Sequence, residues 1–302
     1  MHNVRRLLIG MMALALLAPM AFANGQGEDA SGGAEKTARL TYVNWEEGVA
    51  YTHLAQAILE DEMGYEVETV AADVGPAYQA VATGDMDAYM EAWLPGLHAS
   101  YIDELGDSLV DLGVIYEDAV SGLVVPQYMV DAGVEALSDL RDEEVVEKLD
   151  GQITGIDAGA GLMITTEEEA MPAYDLNEAG YELVPSSGPA MMAALEAAYQ
   201  NEEWIVVLGW QPHSMFGYYD LAILEQDEEE VWGLDNIHIL GRTGLKSEKP
   251  ELAEFLGNMS MNTAEMGALM VHIAESDMDT LDAAREWKNE NTDIWSDWVP
   301  SM

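Results

Sequence analysis

The feature that most constrains this chain is a repeated change of apolar periodicity between residues 38 and 94. Ala38-Arg39-Leu40-Thr41-Tyr42-Val43 is a β-type run, and a helical pattern follows from about Val49 to Met63. Gly64-Tyr65 stops it, and Glu66-Val67-Glu68-Thr69-Val70 alternates as a second strand. Gly75-Pro76 opens another helix through Ala82, and Asp87 to Trp93 reads as a strand ending at Pro95-Gly96. Strand–helix–strand–helix–strand is the rhythm of an α/β domain with a mostly parallel sheet. A second unit follows, with strands at 122–126, 152–156 and 204–210 and an Ala/Met-rich helix at 189–200. Beyond about 213 the text turns acidic and irregular. It regains a strand near Ile237–Leu240 and helices at 249–258, 262–274 and 280–289. No repeat of solenoid length occurs. The expected architecture is two α/β lobes, 38–119 plus 214–302 and 120–213, with a ligand cleft between them.

The ends and the charge set the setting. Arg5-Arg6, an apolar run to about Ala23 and the Ala21-Phe22-Ala23 site predict a secretory signal peptide over 1–23. A Gly/Ser/Ala-rich flexible leader over 24–37 follows. No cysteine stands at the cleavage point, so the mature chain is expected free in a periplasm, as a monomer. Asp and Glu number 57 against 11 Lys and Arg, a net charge of -46, which repels phosphate backbones and argues against nucleic acid. The acids are spread along the chain, as suits a protein kept soluble in concentrated salt. With no Cys there is no disulfide framework, thiol nucleophile or Fe–S cluster.

Catalytic signatures are missing. Asp157-Ala158-Gly159-Ala160-Gly161 is a glycine-rich turn after a strand but lacks dinucleotide and P-loop spacing. Neither a G-x-S-x-G elbow nor an H-E-x-x-H pair is present. His53, His98, His213 and His238 have no metal-ligand spacing, so neither metal nor cofactor is expected.

The tryptophans carry more information. Trp45, Trp93 and Trp210 stand at the carboxyl ends of predicted strands, the edge that faces the ligand crevice in open α/β sheets. Trp204, Trp232, Trp287, Trp295 and Trp298 read as packing residues. Indole faces attract a poorly hydrated cation, at about 1–2 kcal/mol per desolvated contact, and quaternary ammonium fits that description. A carboxylate on the same ligand needs donors. The backbone amides of Gly48-Val49 at the first helix start and the His213 side chain are the candidates.

At these residues the chain resembles the OpuAC/ProX-type substrate-binding proteins of glycine betaine and choline ABC importers. The resemblance runs from about 38 to 275. It is carried by Asn44-Trp45-Glu46-Glu47-Gly48-Val49-Ala50, Gly84-Asp85-Met86-Asp87, Ala92-Trp93-Leu94-Pro95-Gly96-x-His98, Gly122-Leu123-Val124-Val125-Pro126, Ile153 to Gly161, and Gly209-Trp210-Gln211-Pro212-His213. It implies a type II periplasmic binding fold, a non-enzymatic receptor, and an ABC permease with its ATPase as partners. Trp93 and Trp210 match cage positions of both branches, Trp45 a cage tryptophan of choline binders, and Gly48 and Val49 the amides that hold the betaine carboxylate. Glu47 falls where choline binders place an acid toward the hydroxyl. Met261 stands where betaine members carry a further cage Trp, and Ser121 and Ala160 where choline members have Tyr and Asn. The expected ligand is glycine betaine. Choline, carnitine or proline betaine are the alternatives in the same class, and a secreted enzyme acting on choline-type compounds is the rival outside it.

Overall fold

The computed structural model describes residues 36–301. The signal peptide and all but the last two residues of the leader lie outside them, and Thr37 already opens a strand. Nine strands form one curled sheet: β1 (Thr37–Tyr42), β2 (Glu66–Ala71), β3 (Ala88–Leu94), β4 (Leu109–Pro126), β5 (Gln152–Thr154), β6 (Glu182–Val184), β7 (Val207–Gln211), β8 (Leu221–Ile223) and β9 (Asp235–Arg242). Their order is β2-β1-β3-β9-β4-β7-β5-β6, with β8 also paired to β4. β1 runs parallel to β2 and β3, and β5 parallel to β6 and β7. The two parallel groups are joined through antiparallel β9 and β4.

β4 makes the molecule two-lobed. Its first part, to Ala119, pairs with β9, and from Val120 it pairs with β7. The sequence suggested a strand only from Gly122. The earlier half was hidden because register shifts at Asp111/Gly113, Val114/Tyr116 and Tyr116/Ala119 interrupt its alternation, and Asp118 adopts a left-handed φ of 60°. The return to the first lobe also differs from the expected 213/214. β8 still pairs with Val124–Pro126, Glu225 bridges Ala136, and Arg141 binds Glu228. The chain rejoins the first sheet only at β9.

The helices follow from local chemistry. α1 (Glu46–Asp61) begins directly after Trp45 with two acids in its first turn, which suits the positive end of its dipole. Gly64, at φ 70°, turns the chain after it. α2 (Val74–Thr83) ends on Gly84 at φ 83°. α3 (Gly188–Gln200) lies in the second lobe. α4 (Pro250–Asn258), α5 (Thr263–Glu275) and α6 (Thr280–Glu290) close the first. α5 opens on a capping box: Asn262 and Glu265 exchange backbone-to-side-chain bonds of 2.9 Å in each direction. α6 is tied to the end of α1, where the buried Lys288 reaches Asp61 at 2.8 Å and Glu62 at 2.7 Å. Trp232, Trp287, Trp295 and Trp298 are buried, as packing residues should be, and Lys148 lies 4.1 Å over the half-buried Trp204 ring.

Candidate functional site

Three chain segments deliver the indoles. Trp45 sits between β1 and α1, Trp93 near the end of β3, and Trp210 near the end of β7. The Trp45 and Trp210 rings are 5.7 Å apart and tilted by 54°; Trp93 and Trp210 meet edge to face at 6.4 Å. Together with Leu97, His98, Ser121, Ile156, Gly161 and Leu162 they line a small, tightly closed hollow of about 10 Å³. The first lobe supplies Trp45, Trp93, Leu97 and His98, and the second the rest. The cleft is closed: each of the three tryptophans is at most 5% exposed. Tyr101 Oη donates to Gly159 O at 2.7 Å and Ser214 N to Glu46 Oε2 at 3.3 Å, both across the cleft. A Cβ on Gly161 would collide with the Leu97 carbonyl, so this approach of the lobes requires glycine.

The three indole N–H groups have no partner among the described residues. Ser121 contributes only a small side chain to the wall. Ala160 precedes the short helix Gly161–Thr165.

His98 closes the motif Ala92-Trp93-Leu94-Pro95-Gly96-x-His98 and lines the hollow. Trp93 N donates to its Nδ1 at 3.1 Å, and Tyr78 Oη lies 3.2 Å from the same atom. An amide can only donate, so Nδ1 accepts and the ring proton sits on Nε2. Burial pushes the ring pKa down to about 3, so it stays neutral. A neutral N–H donor thus stands in the wall of an aromatic hollow. The signal was its place five residues after Trp93, on a turn clamped by Asp235, which accepts from Gly96 N at 2.6 Å and Leu97 N at 3.2 Å.

Other expected site residues are not among those lining the hollow. Val49 N already donates to Trp45 O at 2.9 Å, closing the first turn of α1. Its amide is therefore not the free donor expected, because free amides of a helix start precede this first bonded one. Val49 lines a neighbouring depression with Trp45, Pro189 and Met270. Gly48 is packed against the Glu91 carboxyl, which a Cβ would overlap. His213 braces Trp210 from behind, ring edge to face at 4.8 Å, and its Nδ1 accepts from Met215 N at 3.1 Å. Burial lowers its pKa, partly offset by Glu46. It is not among the residues lining the hollow. Met261 is also absent from that lining: its N donates to Ile115 O at 2.7 Å, and it faces a depression with Val114, Tyr116 and Glu117.

Glu47 is fully buried, with its carboxyl near the Trp210 indole but outside hydrogen-bonding geometry. Its neighbour is Glu91, two residues before Trp93 on β3 and equally buried. Burial, and for Glu91 the charge of Glu47, push both carboxyls well above the ordinary range.

An α/β molecule of two lobes closed over an indole-lined hollow is a binding protein that encloses a small ligand. Known proteins agree. Lactococcal OpuAC, in its closed-liganded conformation complexed with glycine betaine, matches with a TM-score of 0.80 and 34% identity over 88% of this chain and all of that one. The glycine/betaine/L-proline-binding protein ProX of Borrelia burgdorferi matches with a TM-score of 0.82 and 32% identity, covering 88% and 97%. The glycine betaine/carnitine transport binding protein of Listeria monocytogenes is 35% identical over 160 residues, about half the length of each chain (53%). Residues 36–290 match the substrate binding domain of the ABC-type glycine betaine transport system, and the chain belongs to this OpuAC family. The family consists of transport binding proteins, and no described helix is long and apolar enough to cross a membrane.

Proposed function

We propose that this chain captures glycine betaine in the periplasm and delivers it to an ABC permease and its ATPase. The observation that carries the reading is the convergence of Trp45, Trp93 and Trp210 with the neutral His98 on one closed hollow. The trimethylammonium group packs on indole faces, where a cation that cannot donate hydrogen bonds loses little by leaving water. The carboxylate takes its hydrogen bond from His98 Nε2. The lobes open at two crossings, Ala119/Val120 in β4 and the segment before β9, and the closed form is what the permease reads. Lobe I then comprises 38–119 and 235–302, and lobe II 120–234. Isothermal titration with glycine betaine tests the reading. Saturable one-to-one binding is expected, and heats no larger than dilution would end it.

Choline is the second reading, favoured by the acid Glu47 beside Trp210. Competition separates the two. Choline cannot use His98 as a carboxylate donor, so betaine is expected to displace it.

A further inference from the structure

Directly behind the cage lies a polar cluster with no internal counter-charge. Glu47 on α1 and Glu91 on β3 are 0% exposed, and none of their four carboxyl oxygens has a partner among the described residues. The hydroxyls of Tyr51 on α1, Tyr89 on β3 and Tyr116 on β4 are also buried and unpartnered, and each feels the charge of both acids. After burial, the groups that act most strongly on the pair are the backbone of Glu47 and Val43, the carboxyls of the pair itself and of Glu46, and the Trp210 indole, none of them cationic. Natural proteins seldom bury acids this way without a paired cation.

The pair is tied to the cage on three sides. Glu47 stands beside Trp210, Glu91 precedes Trp93 by two residues, and Gly48, three residues after Trp45, gives up its side-chain space to Glu91.

We propose that the Glu47–Glu91 pair is the built-in counter-charge of the site, so that the cage selects a cation over a neutral group of the same shape and exchanges a proton for it on binding. This rests on the quaternary-ammonium reading above. In the empty site the pair holds its proton because no other positive charge is at hand. A cation entering the cage favours the ionised pair, and the proton leaves to solvent. One proton leaves as one trimethylammonium charge enters the cage, and the ligand's own carboxylate is met separately by the neutral His98. Raised pKa values for both acids, caused first by burial, agree with this geometry.

The remaining titratable groups facing the pair and cage leave a clean window. Tyr51, Tyr89 and Tyr116 are pushed up from an already high range, and His98 and His213 are pushed down. Glu46 lies on the first turn of α1. Asp157, beside Trp45, is raised by burial and then by Asp73. Ordinary carboxylates stay ionised from about pH 6 to about pH 9 and ordinary imidazoles are neutral above about pH 7.5, so a change between about pH 7.5 and about pH 9 reports the pair.

Two measurements test this. On the wild-type chain, betaine affinity is titrated calorimetrically from about pH 6 to about pH 9 in buffers of different ionisation enthalpy. We expect a rise of about fivefold or more and net proton release on binding. A flat profile without proton release overturns the proposal, and a D157N control is expected to keep the rise. On E47Q/E91Q, with the fold checked by near-UV circular dichroism, the profile should be flat. Its preference for betaine over the uncharged-carbon isostere 3,3-dimethylbutanoate should drop about fivefold or more relative to wild type. An unchanged preference overturns the proposal. If the double variant does not fold, the wild-type profile decides alone. A wild-type chain that binds no betaine at any pH refutes the functional reading itself, a distinguishable failure.

Discussion

Asp87 and the Glu47–Glu91 pair are both wholly buried acid sites of the first lobe, yet their surroundings are opposite. Asp87 receives Lys249 Nζ at 2.7 Å, Arg242 Nε at 3.0 Å and the Arg39 amide at 3.0 Å. Burial alone would raise its pKa, but Lys249 and Arg242 outweigh it and hold the carboxyl below the usual range. Those partners come from β1, β9 and the residue before α4, so Asp87 clamps strands together. The Glu47–Glu91 pair has no cation and sits against the cage. A buried acid with its own cations holds structure, and one without them awaits a partner from outside.

Predictions follow from that contrast in order of size. The largest concerns the cage itself. W210A removes the ring that touches both other indoles and should weaken betaine binding about 100-fold or more by calorimetry, with W93A close behind. Next, D87N should cost about 2–4 kcal/mol of stability in denaturant titrations, because it leaves Lys249 and Arg242 facing a neutral group.

The two acid sites should also diverge with pH. Asp87 has a depressed pKa, so its stabilisation is complete above the unfolded carboxylate value and is lost as pH falls through the folded one. Thermal melts of D87N and wild type should therefore converge in acid. The Glu47–Glu91 pair is raised, so its contribution is complete below the ordinary carboxylate range and is lost as pH rises through the folded values. The E47Q/E91Q variant should gain on wild type by up to about 1.4 kcal/mol per pH unit for each proton involved. Parallel melting curves would erase the distinction between the two sites. The smallest effect is that of salt: molar NaCl should change betaine affinity less than about threefold, since screening acts on exposed charges. A tenfold loss would place the binding charge at the surface.

Much of this was readable in the chain. Strand–helix alternation gave β1 to β3 and their helices within a few residues, since half-buried elements carry a clean period. The three tryptophans were found because strand ends in α/β sheets share one edge. What escaped had physical causes. Bulges concealed the first half of β4, and β8 is a three-residue strand recognisable only by its partner. The role proposed for His98 rests on a ring orientation fixed by Trp93 N and Tyr78, which no spacing reveals. Glu91 was hidden among many acids, and only burial singles it out. Val49, His213 and Met261 neighbour cage positions in sequence, and in the fold Val49 N closes a helix turn, His213 packs on Trp210 and Met261 faces another depression.

The most direct measurement of the central claim is a crystal structure with glycine betaine bound. The ligand nitrogen should lie within about 6 Å of the ring centres of Trp45, Trp93 and Trp210, with its carboxylate on His98 Nε2. Betaine bound elsewhere, or an empty cage at saturating betaine, would contradict it.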